Sequence, residues 1–331
     1  MLADHHKFLK YISHFDGGWW SGAADLMIDK LEFLIALASE RHFGRAAEIS
    51  NVSQPTLSAA IKQLEDSFGT LLVNRGSRFQ GLTPEGERVL AWARRIVGDV
   101  RAMREDIETV KHGLSGHVRL AVIPTALAVT AALTTPFRAR HPGVRFSVLS
   151  CTSIDILRML ENLEADAGLT YLDNEPLGKL DSEPLYFEQY RLLTSPDSEL
   201  GDRETVSWAE VGKIPLCLLT PDMQNRRIID QMLFKAGVMV STTLESNSMI
   251  VLYAHVRSGR WASIMPALLV ETLGLTDRVR AIPIVEPENV HSIGLVTVHR
   301  DPLSPLTAAL RDMARHLAST LPTSRGTPRR A

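Results

Sequence analysis

Cysteine, long apolar runs and charge of one sign are all scarce in this sequence, and each scarcity excludes a class of protein. The 331 residues include two cysteines, Cys151 and Cys217, whose wide separation fits neither a disulfide-rich secreted scaffold nor a zinc site. No run of about 18 apolar residues occurs, and the formal net charge is −2. We therefore expect a cytoplasmic chain with no disulfide, metal or membrane contact, whose overall charge does not indicate a nucleic-acid partner.

Sequence motifs that mark common catalytic sites are absent as well. The chain contains no Gly-x-Ser-x-Gly, no glycine-rich phosphate loop and no His-Glu-x-x-His. His255, His291 and His299 lie in helical or strand patterns with no paired carboxylate evident. We therefore expect no catalytic residues, no cofactor and no enzymatic activity.

The stretch 52–58 has the sequence of a turn followed by the start of a helix. Ser53 can cap the helix by accepting from a backbone N–H one turn on, and Pro55 fits the first turn, where a missing N–H costs nothing. Apolar residues then recur at helical spacing on one face, at Leu57, Ile61 and Leu64. Polar residues fall off that face, at Gln54, Thr56, Ser58 and Lys62. This pattern is typical of the recognition helix of a helix-turn-helix, whose N-terminal residues meet bases and phosphates.

The neighbouring segments complete a small DNA-binding module. A first helix carries its own apolar stripe, formed by Leu31, Leu34, Ile35 and Ala38. A second, short helix is expected to open at Gly44, and Ile49 and Val52 are expected to be buried behind the turn. Residues 71–78 have the pattern of a strand, a tight turn and a wing with two arginines.

Together these segments resemble the winged helix-turn-helix of the LysR-type transcriptional regulators. The resemblance is carried by Arg45-Ala46-Ala47, 52–58, Ile61, Leu64-Glu65, Arg75 and Leu82-Thr83-Pro84-Glu85-Gly86. It implies that residues 27–83 bind double-stranded DNA through Arg45, Ser53, Gln54, Pro55, Thr56, Ser58, Lys62, Arg75 and Arg78. Acidic and basic residues are equal in number over 27–113, so DNA affinity must come from local placement and dimerisation. The alternative is a helical bundle with no nucleic-acid role.

Residues 84–113 are predicted to form one long helix that joins two subunits. Thr83 fits the N-cap and Pro84 the first helical position. Apolar residues recur at heptad spacing, at Val89, Ala93, Ile96, Val100, Met103, Ile107 and Val110. A seam this long on a charged helix favours dimerisation over packing on the helix's own DNA-binding domain.

Residues 117–320 alternate strand and helix, which predicts parallel α/β sheets. One strand is expected to run from 186 to 194. The resemblance implies an effector domain of two lobes hinged like a periplasmic solute-binding protein, with lobe I at about 117–190 and 293–320 and lobe II at about 191–292. Residues 1–26 fit nothing downstream and are expected to be disordered or to precede a native start at Met27, and the tail 321–331 is expected to be disordered.

A ligand site is predicted where strands end and helices begin, because helix N-termini offer free N–H groups there. The candidate residues are Thr125, Ala126, Thr152, Ser153, Gln224, Asn225, Ser248 and Met265. Hydroxyls and amides dominate this set, which suits a small anionic metabolite. The alternative is that Thr125, Ser153 and Ser248 are simple helix caps.

The sequence therefore predicts a sequence-specific transcriptional regulator whose activity responds to a small effector bound between two α/β lobes. A homodimer is expected, and the resemblance implies assembly into a homotetramer. The competing function is a cytoplasmic solute-binding protein with the same two-lobed fold and no promoter-specific role. An enzyme with a DNA-binding appendage would require clustered titratable groups in the cleft, and the sequence shows none.

Overall fold

The structure, a computed structural model, describes residues 20–74, 79–173, 176–239, 242–286 and 290–321, with side chains described from residue 27 onward. The chain divides into two compact units with a boundary between Arg104 and Glu105. The predicted wing residues Arg75 and Arg78 and the tail from 322 lie outside the described residues. Among the described helices, none has the length and apolar character needed to cross a lipid bilayer.

Three helices make up most of the first unit, as the sequence predicts. They are α1 (Trp20–Glu40), α2 (Phe43–Ile49) and α3 (Gln54–Phe68). Their apolar faces meet in a common core, where Leu34, Leu57 and Leu64 are completely buried. Helix α1 begins at Trp20, so residues 20–26, expected to be disordered, belong to a helix.

The starts of α2 and α3 are fixed by side-chain caps, one predicted and one not. Ser53 Oγ accepts from the backbone N–H of Thr56 at 3.3 Å, as expected for the N-cap of α3. Helix α2 is capped instead by His42, whose ring nitrogen accepts from a backbone N–H, so Gly44 lies inside the first turn rather than opening it. The burial expected for Ile49 is wrong, since 57% of it is exposed, because α2 packs through its two alanines and ends there.

The residues at the base of the predicted wing follow α3 and are tied to it by a buried carboxylate. One isolated antiparallel β-bridge joins Val73 to Leu82. Glu65 of α3 accepts from the backbone N–H groups of Leu72 at 2.9 Å and Val73 at 3.2 Å. A Cβ at Gly86 would lie 2.0 Å from the Leu72 carbonyl oxygen, so the next helix can approach the wing only with glycine at this position.

The long helix predicted after the wing is α4 (Pro84–His112). Thr83 caps it as expected, since its Oγ1 accepts from the backbone N–H of Gly86 at 2.9 Å. The Thr83 hydroxyl also donates to the Leu71 carbonyl at 2.7 Å. One residue therefore fixes both the helix start and its attachment to the wing.

The second unit is built from sheets covered by helices. Its strands are β1 (Gly116–Val122), β2 (Val144–Ser150), β3 (Ala167–Tyr171), β4 (Leu180–Glu188), β5 (Tyr190–Thr194), β6 (Val206–Ser207), β7 (Cys217–Leu219), β8 (Leu244–Ser246), β9 (Ser263–Pro266), β10 (Arg280–Val285) and β11 (His291–Val298). Its α-helices are α5 (Leu127–Arg140), α6 (Ser153–Glu161), α7 (Trp208–Val211), α8 (Gln224–Lys235), α9 (Met249–Arg257), α10 (Ala267–Leu273) and α11 (Pro305–Thr320). A 3₁₀ turn, Pro124–Ala126, joins β1 to α5.

The strands form two lobes with mixed sheets. Lobe I holds a five-stranded sheet in the order β2-β1-β3-β11-β4, and lobe II a four-stranded sheet in the order β6-β10-β5-β9 with the pair β7-β8. β1 is parallel to β2 and β3, but β11 is antiparallel to β3 and β4, and β5 is antiparallel to β9 and β10. The prediction of parallel sheets was therefore only partly right, because β4 leads the chain out of lobe I and β11 leads it back in the opposite direction.

Both crossings between the lobes lie side by side. The single strand predicted over 186–194 is in fact two strands of different sheets, β4 ending at Glu188 and β5 starting at Tyr190. The chain returns to lobe I at His291, and Glu188 and His291 are cross-strand partners. Glu188 and His291 therefore mark the junction between the lobes.

Candidate functional site

The N-terminal turn of α3 presents polar side chains to solvent. Ser53, Gln54, Pro55 and Thr56 are exposed, while Leu57 is completely buried. Further along the helix, the predicted contact residues Ser58, half-buried, and Lys62, exposed, follow Gln54 at intervals of four and therefore share its face. This is the arrangement that a helix needs to meet a DNA groove with one face and its own domain with the other.

Three of the predicted DNA-contacting residues, Arg45, Ser53 and Thr56, already have partners within the first unit. Arg45 Nε lies 3.0 Å from Glu40 Oε2, in an ion pair that is largely exposed. Ser53 Oγ lies 2.8 Å from Thr56 Oγ1 in addition to capping α3. A phosphate contact by Arg45 would therefore compete with Glu40, and Ser53 serves first to fix the position of the helix.

Helix α4 has two apolar faces, one buried in its own unit and one exposed. The predicted dimer seam combined residues of both faces. Ala93 is completely buried in the first unit, beside Leu90 and Val97 on the inward face, so its assignment to the dimer seam is corrected. Trp92, which was not among the predicted seam residues, is 62% exposed. It replaces Ala93 in the heptad series of the exposed face. The other seam residues are exposed or half-buried: Val89, Ile96, Val100, Met103, Ile107 and Val110. Because Trp92 and Ala93 are adjacent in sequence but lie on different apolar faces, the spacing of apolar residues alone cannot assign each to its face.

In the second unit, side chains from both lobes meet at one tyrosine hydroxyl. Thr125 Oγ1 of lobe I lies 3.4 Å from Tyr171 Oη, and Asn225 Nδ2 of lobe II donates to the same oxygen at 3.3 Å. Asn225 Nδ2 also lies 3.5 Å from Tyr190 Oη. All four side chains are buried, so these contacts form one polar cluster at the junction between the lobes.

Glu188, which the sequence reading missed, is the charged member of this cluster. Tyr171 Oη donates to Glu188 Oε1 at 2.6 Å, and only 1% of Glu188 is exposed. Burial raises the pKa of Glu188 to about 7, against the lowering effect of the Tyr171 hydrogen bond. The expectation of no clustered titratable groups in the cleft was therefore wrong, because Glu188 lies together with Tyr171 and Tyr190. A carboxylate that directly follows Leu185, Tyr186 and Phe187 in a predicted strand was the signal that could have found it.

Two further predicted residues have buried polar atoms without a partner among the described residues. Thr152, not Ser153, caps α6, by accepting from the backbone N–H of Asp155 at 3.1 Å. The Ser153 hydroxyl is left buried and unpartnered, as are both amide atoms of Gln224 at the start of α8. Buried polar groups are normally hydrogen-bonded, so these atoms lack the partners that such groups usually have.

Other predicted ligand residues are not brought to the cluster. The side chains of Ala126 and Met265 are completely buried in hydrophobic cores, so their assignment to a ligand site is corrected. The Ala126 backbone N–H is also used, since it donates to the Ile123 carbonyl. Ser248 is half-buried and precedes α9 without a side-chain cap hydrogen bond, so it is not the simple cap that the alternative proposed.

Two histidines thought to lack carboxylate partners do have them. His291 Nδ1 lies 3.5 Å from Asp173 Oδ2, and His299 Nδ1 lies 3.0 Å from Asp181 Oδ1. Burial lowers the pKa of His291, which favours the neutral ring. His299 joins Arg311 around Asp181 at the surface of lobe I.

A helix-turn-helix with an exposed N-terminal recognition turn, followed by two α/β lobes with a polar cluster between them, defines a ligand-responsive DNA-binding regulator. The family described as LysR substrate binding domain matches residues 111–319, and that described as bacterial regulatory helix-turn-helix protein, lysR family, matches residues 28–87. The chain therefore belongs to the LysR family of transcriptional regulators.

Relatives of known name match along nearly the whole chain. The DNA-binding transcriptional dual regulator OxyR of Escherichia coli (strain K12) is 29% identical over 295 residues, which is 89% of this chain and 95% of OxyR. The regulator CfxR of Cupriavidus necator is 30% identical over 267 residues, covering 79% and 81% of the two chains. These matches support the regulator function over a solute-binding protein without a promoter-specific role.

Solved structures of the same fold include proteins with DNA and with a small ligand. Full-length OxyR from Pseudomonas aeruginosa, a single-residue variant, has a TM-score of 0.70 at 24% identity and covers 91% of this chain and 98% of its own. The effector binding domain of QuiR in complex with shikimate has a TM-score of 0.55 at 20% identity, covering 62% and 98%. CbnR in complex with its target DNA has a TM-score of 0.57 at 18% identity, covering 88% and 99%. At these identities the structures show the shared fold.

Proposed function

We propose that this regulator reads its operator with the N-terminal turn of α3, as a dimer joined through α4, and that a small effector in the cleft between the lobes changes its DNA binding. A cytoplasmic location is part of the proposal, because the partner is promoter DNA. The observation that carries the effector site is the single hydroxyl of Tyr171 shared by Thr125 of lobe I and Asn225 of lobe II.

DNA recognition is assigned to the exposed face of α3. Gln54 projects from the first turn, where an amide side chain can form paired hydrogen bonds with adenine. Pro55 and Thr56 lie in the same exposed turn, and Lys62, two turns on, carries the charge that a phosphate contact requires. Arg45 can join the phosphate contacts if it exchanges Glu40 for DNA.

Dimerisation is assigned to the exposed face of α4. Large apolar side chains rarely remain exposed in such a row, and on this helix they repeat at heptad spacing over most of its length. A second α4 packed along the row would bury Trp92, Ile96, Met103 and Ile107. The dimer then places two α3 helices on one DNA molecule, and pairing through effector domains would extend it to a tetramer.

The effector is proposed to be a small anionic metabolite. The unpartnered Ser153 hydroxyl lies in the first turn of α6, where the helix dipole and free N–H groups favour negative charge. Asn225 contacts the same junction from the start of α8 in lobe II, and Gln224, beside it in the chain, has a buried amide without a partner among the described residues. A ligand held by both lobes would favour one arrangement of the hinge, which is the physical basis for a coupling of about 1–3 kcal/mol to DNA binding.

The peroxide response in the names of several relatives, hydrogen peroxide-inducible genes activator, is not extended to this chain. Peroxide reacts with thiolates, so a sensor cysteine needs a low pKa. Burial raises the pKa of both Cys151 and Cys217, the latter to about 11. A bound metabolite therefore fits this chain better than thiol oxidation.

The site is tested by isothermal titration calorimetry of full-length protein with a panel of small carboxylates, alongside operator binding with and without each. Thr125→Val removes a hydroxyl at nearly constant size, so it should weaken the ligand response while leaving DNA binding intact. Thr135→Val, on the exposed side of α5, is the matched control and should respond as wild type does. A normal response by Thr125→Val would show that the ligand binds elsewhere.

A further inference from the structure

We propose that lobe II contains a second ligand site, a cavity between β5 and β10 that takes a small apolar molecule with one carboxylate. The cavity has a volume of ≈ 390 Å³. Of the residues in the polar cluster of the cleft, Tyr190 lines this cavity, whereas Thr125, Tyr171, Glu188 and Asn225 do not. The site is therefore distinct from the proposed effector site.

The cavity exists because β10 changes its partner strand. Residues 280–283 of β10 pair with β5, whereas Ile284 and Val285 pair with β6. Pro283 is the last residue of β10 that pairs with β5, and a proline has no N–H with which to continue that ladder. The two strands therefore separate beyond the pair formed by Pro283 and Arg191, and the cavity occupies the opening between them.

The walls of the cavity are held in place by regular structure. Trp208 is the first residue of α7, and a capping box fixes the start of that helix. The Trp208 ring meets the Tyr190 ring edge to face, with the centroids 5.9 Å apart. The Ala267 N–H, at the start of α10, donates to the Gln189 carbonyl at 2.8 Å. Small-molecule sites are usually pre-formed in this way and have volumes of about 300–1,000 Å³, a range that includes this cavity.

The lining combines apolar surface with one basic side chain. Residues 283–285 of β10 supply aliphatic side chains beside the aromatic wall. The Arg191 side chain is half-buried and forms no hydrogen bond or ion pair with another described residue, so it can pair with a carboxylate that water screens only partly. Glu286 also lines the cavity but is exposed, so it adds little affinity for a cation and would repel a second anionic group. The lining therefore favours an apolar monocarboxylate over a dicarboxylate or an amine.

Both crossings between the lobes border this cavity. Gln189, the single residue between β4 and β5, lines it where the chain leaves lobe I. Val285 and Glu286, at the end of β10, line it where the chain begins its return to β11. A ligand that contacts both crossings would bind different arrangements of the lobes with different affinities, and it would therefore shift the equilibrium between them. The cavity is thus placed to act as a second regulatory site besides the cleft.

The site is tested by calorimetric titration of full-length protein with three probes. Cyclohexanecarboxylate carries both an apolar body and a carboxylate, cyclohexanecarboxamide lacks the charge, and acetate lacks the apolar body. The first should bind at least tenfold tighter than either of the others, which corresponds to about 1.4 kcal/mol. Arg191→Gln should remove the preference over the amide, and Ala267→Leu, which adds bulk to the cavity wall, should weaken cyclohexanecarboxylate at least tenfold. Arg257→Gln, an exposed change at the end of α9 in lobe II, is the matched control and should bind as wild type does.

The outcomes decide whether the probe occupies this cavity or the cleft. Thr125→Val should leave binding of cyclohexanecarboxylate unchanged. If Thr125→Val weakens it while Arg191→Gln and Ala267→Leu do not, the probe binds in the cleft and the second site is overturned. Equally tight binding of the amide or acetate, or no binding of any probe, would also overturn the proposal. If neither cavity variant folds, a crystal structure of wild type with cyclohexanecarboxylate decides, since density between β5 and β10 supports the site and density elsewhere contradicts it.

Discussion

The two units of this protein use polar side chains in opposite ways. In the first unit the candidate functional residues, Gln54, Thr56 and Lys62, are exposed. Among the described side chains of that unit, the buried core is apolar except for Glu65. In the second unit the candidate residues, Thr125, Asn225 and Glu188, are buried and hydrogen-bonded across two lobes. The proposed DNA contacts are therefore made by exposed side chains on a folded surface, whereas the proposed ligand contacts are made by buried side chains that already hydrogen-bond to one another.

The largest expected effect tests the exposed apolar face of α4, the helix that runs across the boundary between the two units. Ile107→Glu places a charge in the proposed seam of α4, where a partner helix would bury it unpaired. This should cost roughly 2–5 kcal/mol of dimerisation free energy. Light scattering should show half the mass of wild type, with operator binding lost. Glu108→Lys, an exposed change on the same helix but off the seam, should leave the mass unchanged. An unchanged mass for Ile107→Glu would remove α4 as the dimer contact.

A smaller effect probes the buried carboxyl of the second region. The pKa of Glu188 is raised from 4.5 to about 7, so the folded chain holds this proton more tightly than the unfolded chain. Its contribution to stability is complete below pH 4.5 and is lost as pH rises through about 7, with a total of about 3 kcal/mol. Urea unfolding at pH 5 and pH 8 should therefore show wild type losing stability relative to Glu188→Gln.

The matched variant for that measurement is Glu199→Gln, which removes an exposed carboxylate from the same unit. It should follow wild type at both pH values. Equal pH dependence of wild type and Glu188→Gln would mean that Glu188 is not desolvated, and the contrast between the two units would lose its main support.

The smallest expected effect is no change at all. Hydrogen peroxide should leave both thiols titratable and operator binding unaltered, because burial raises the pKa of Cys151 and Cys217. Thiol counting with Ellman's reagent after denaturation, with and without peroxide, checks this directly. Loss of both thiols together with altered DNA binding would place thiol chemistry, rather than a ligand, in control of the second unit.

The sequence predicted the first unit better than the second for a physical reason. The cap Ser53, the stripe through Leu57 and the start of α4 after Thr83 all depend on residues within one or two turns of each other. Glu65, which holds the wing, was noticed only as part of a motif, because its hydrogen bonds go to residues seven and eight positions away.

The cleft depends on contacts that no local pattern contains. Tyr171 lies 17 residues from Glu188 and 54 residues from Asn225 in the chain. The three converge because β4 and β11 carry the chain between the lobes side by side. Thr125 and Asn225 were found because strand ends predict ligand corners, whereas Ala126 and Met265 occupy similar corners but face the cores. Strand-end position therefore identifies the edge of the sheet but not the direction of each side chain.

The central claim is that α3 selects a DNA sequence, and footprinting tests it most directly. The DNA upstream of the protein's own and adjacent genes is probed with wild type, Gln54→Ala and Gln63→Ala, the last an exposed residue of α3 off the proposed face. Wild type and Gln63→Ala should protect the same discrete site. Gln54→Ala should bind that site about 1–3 kcal/mol more weakly while keeping non-specific affinity. Protection by Gln54→Ala equal to that of wild type would contradict the placement of the recognition helix.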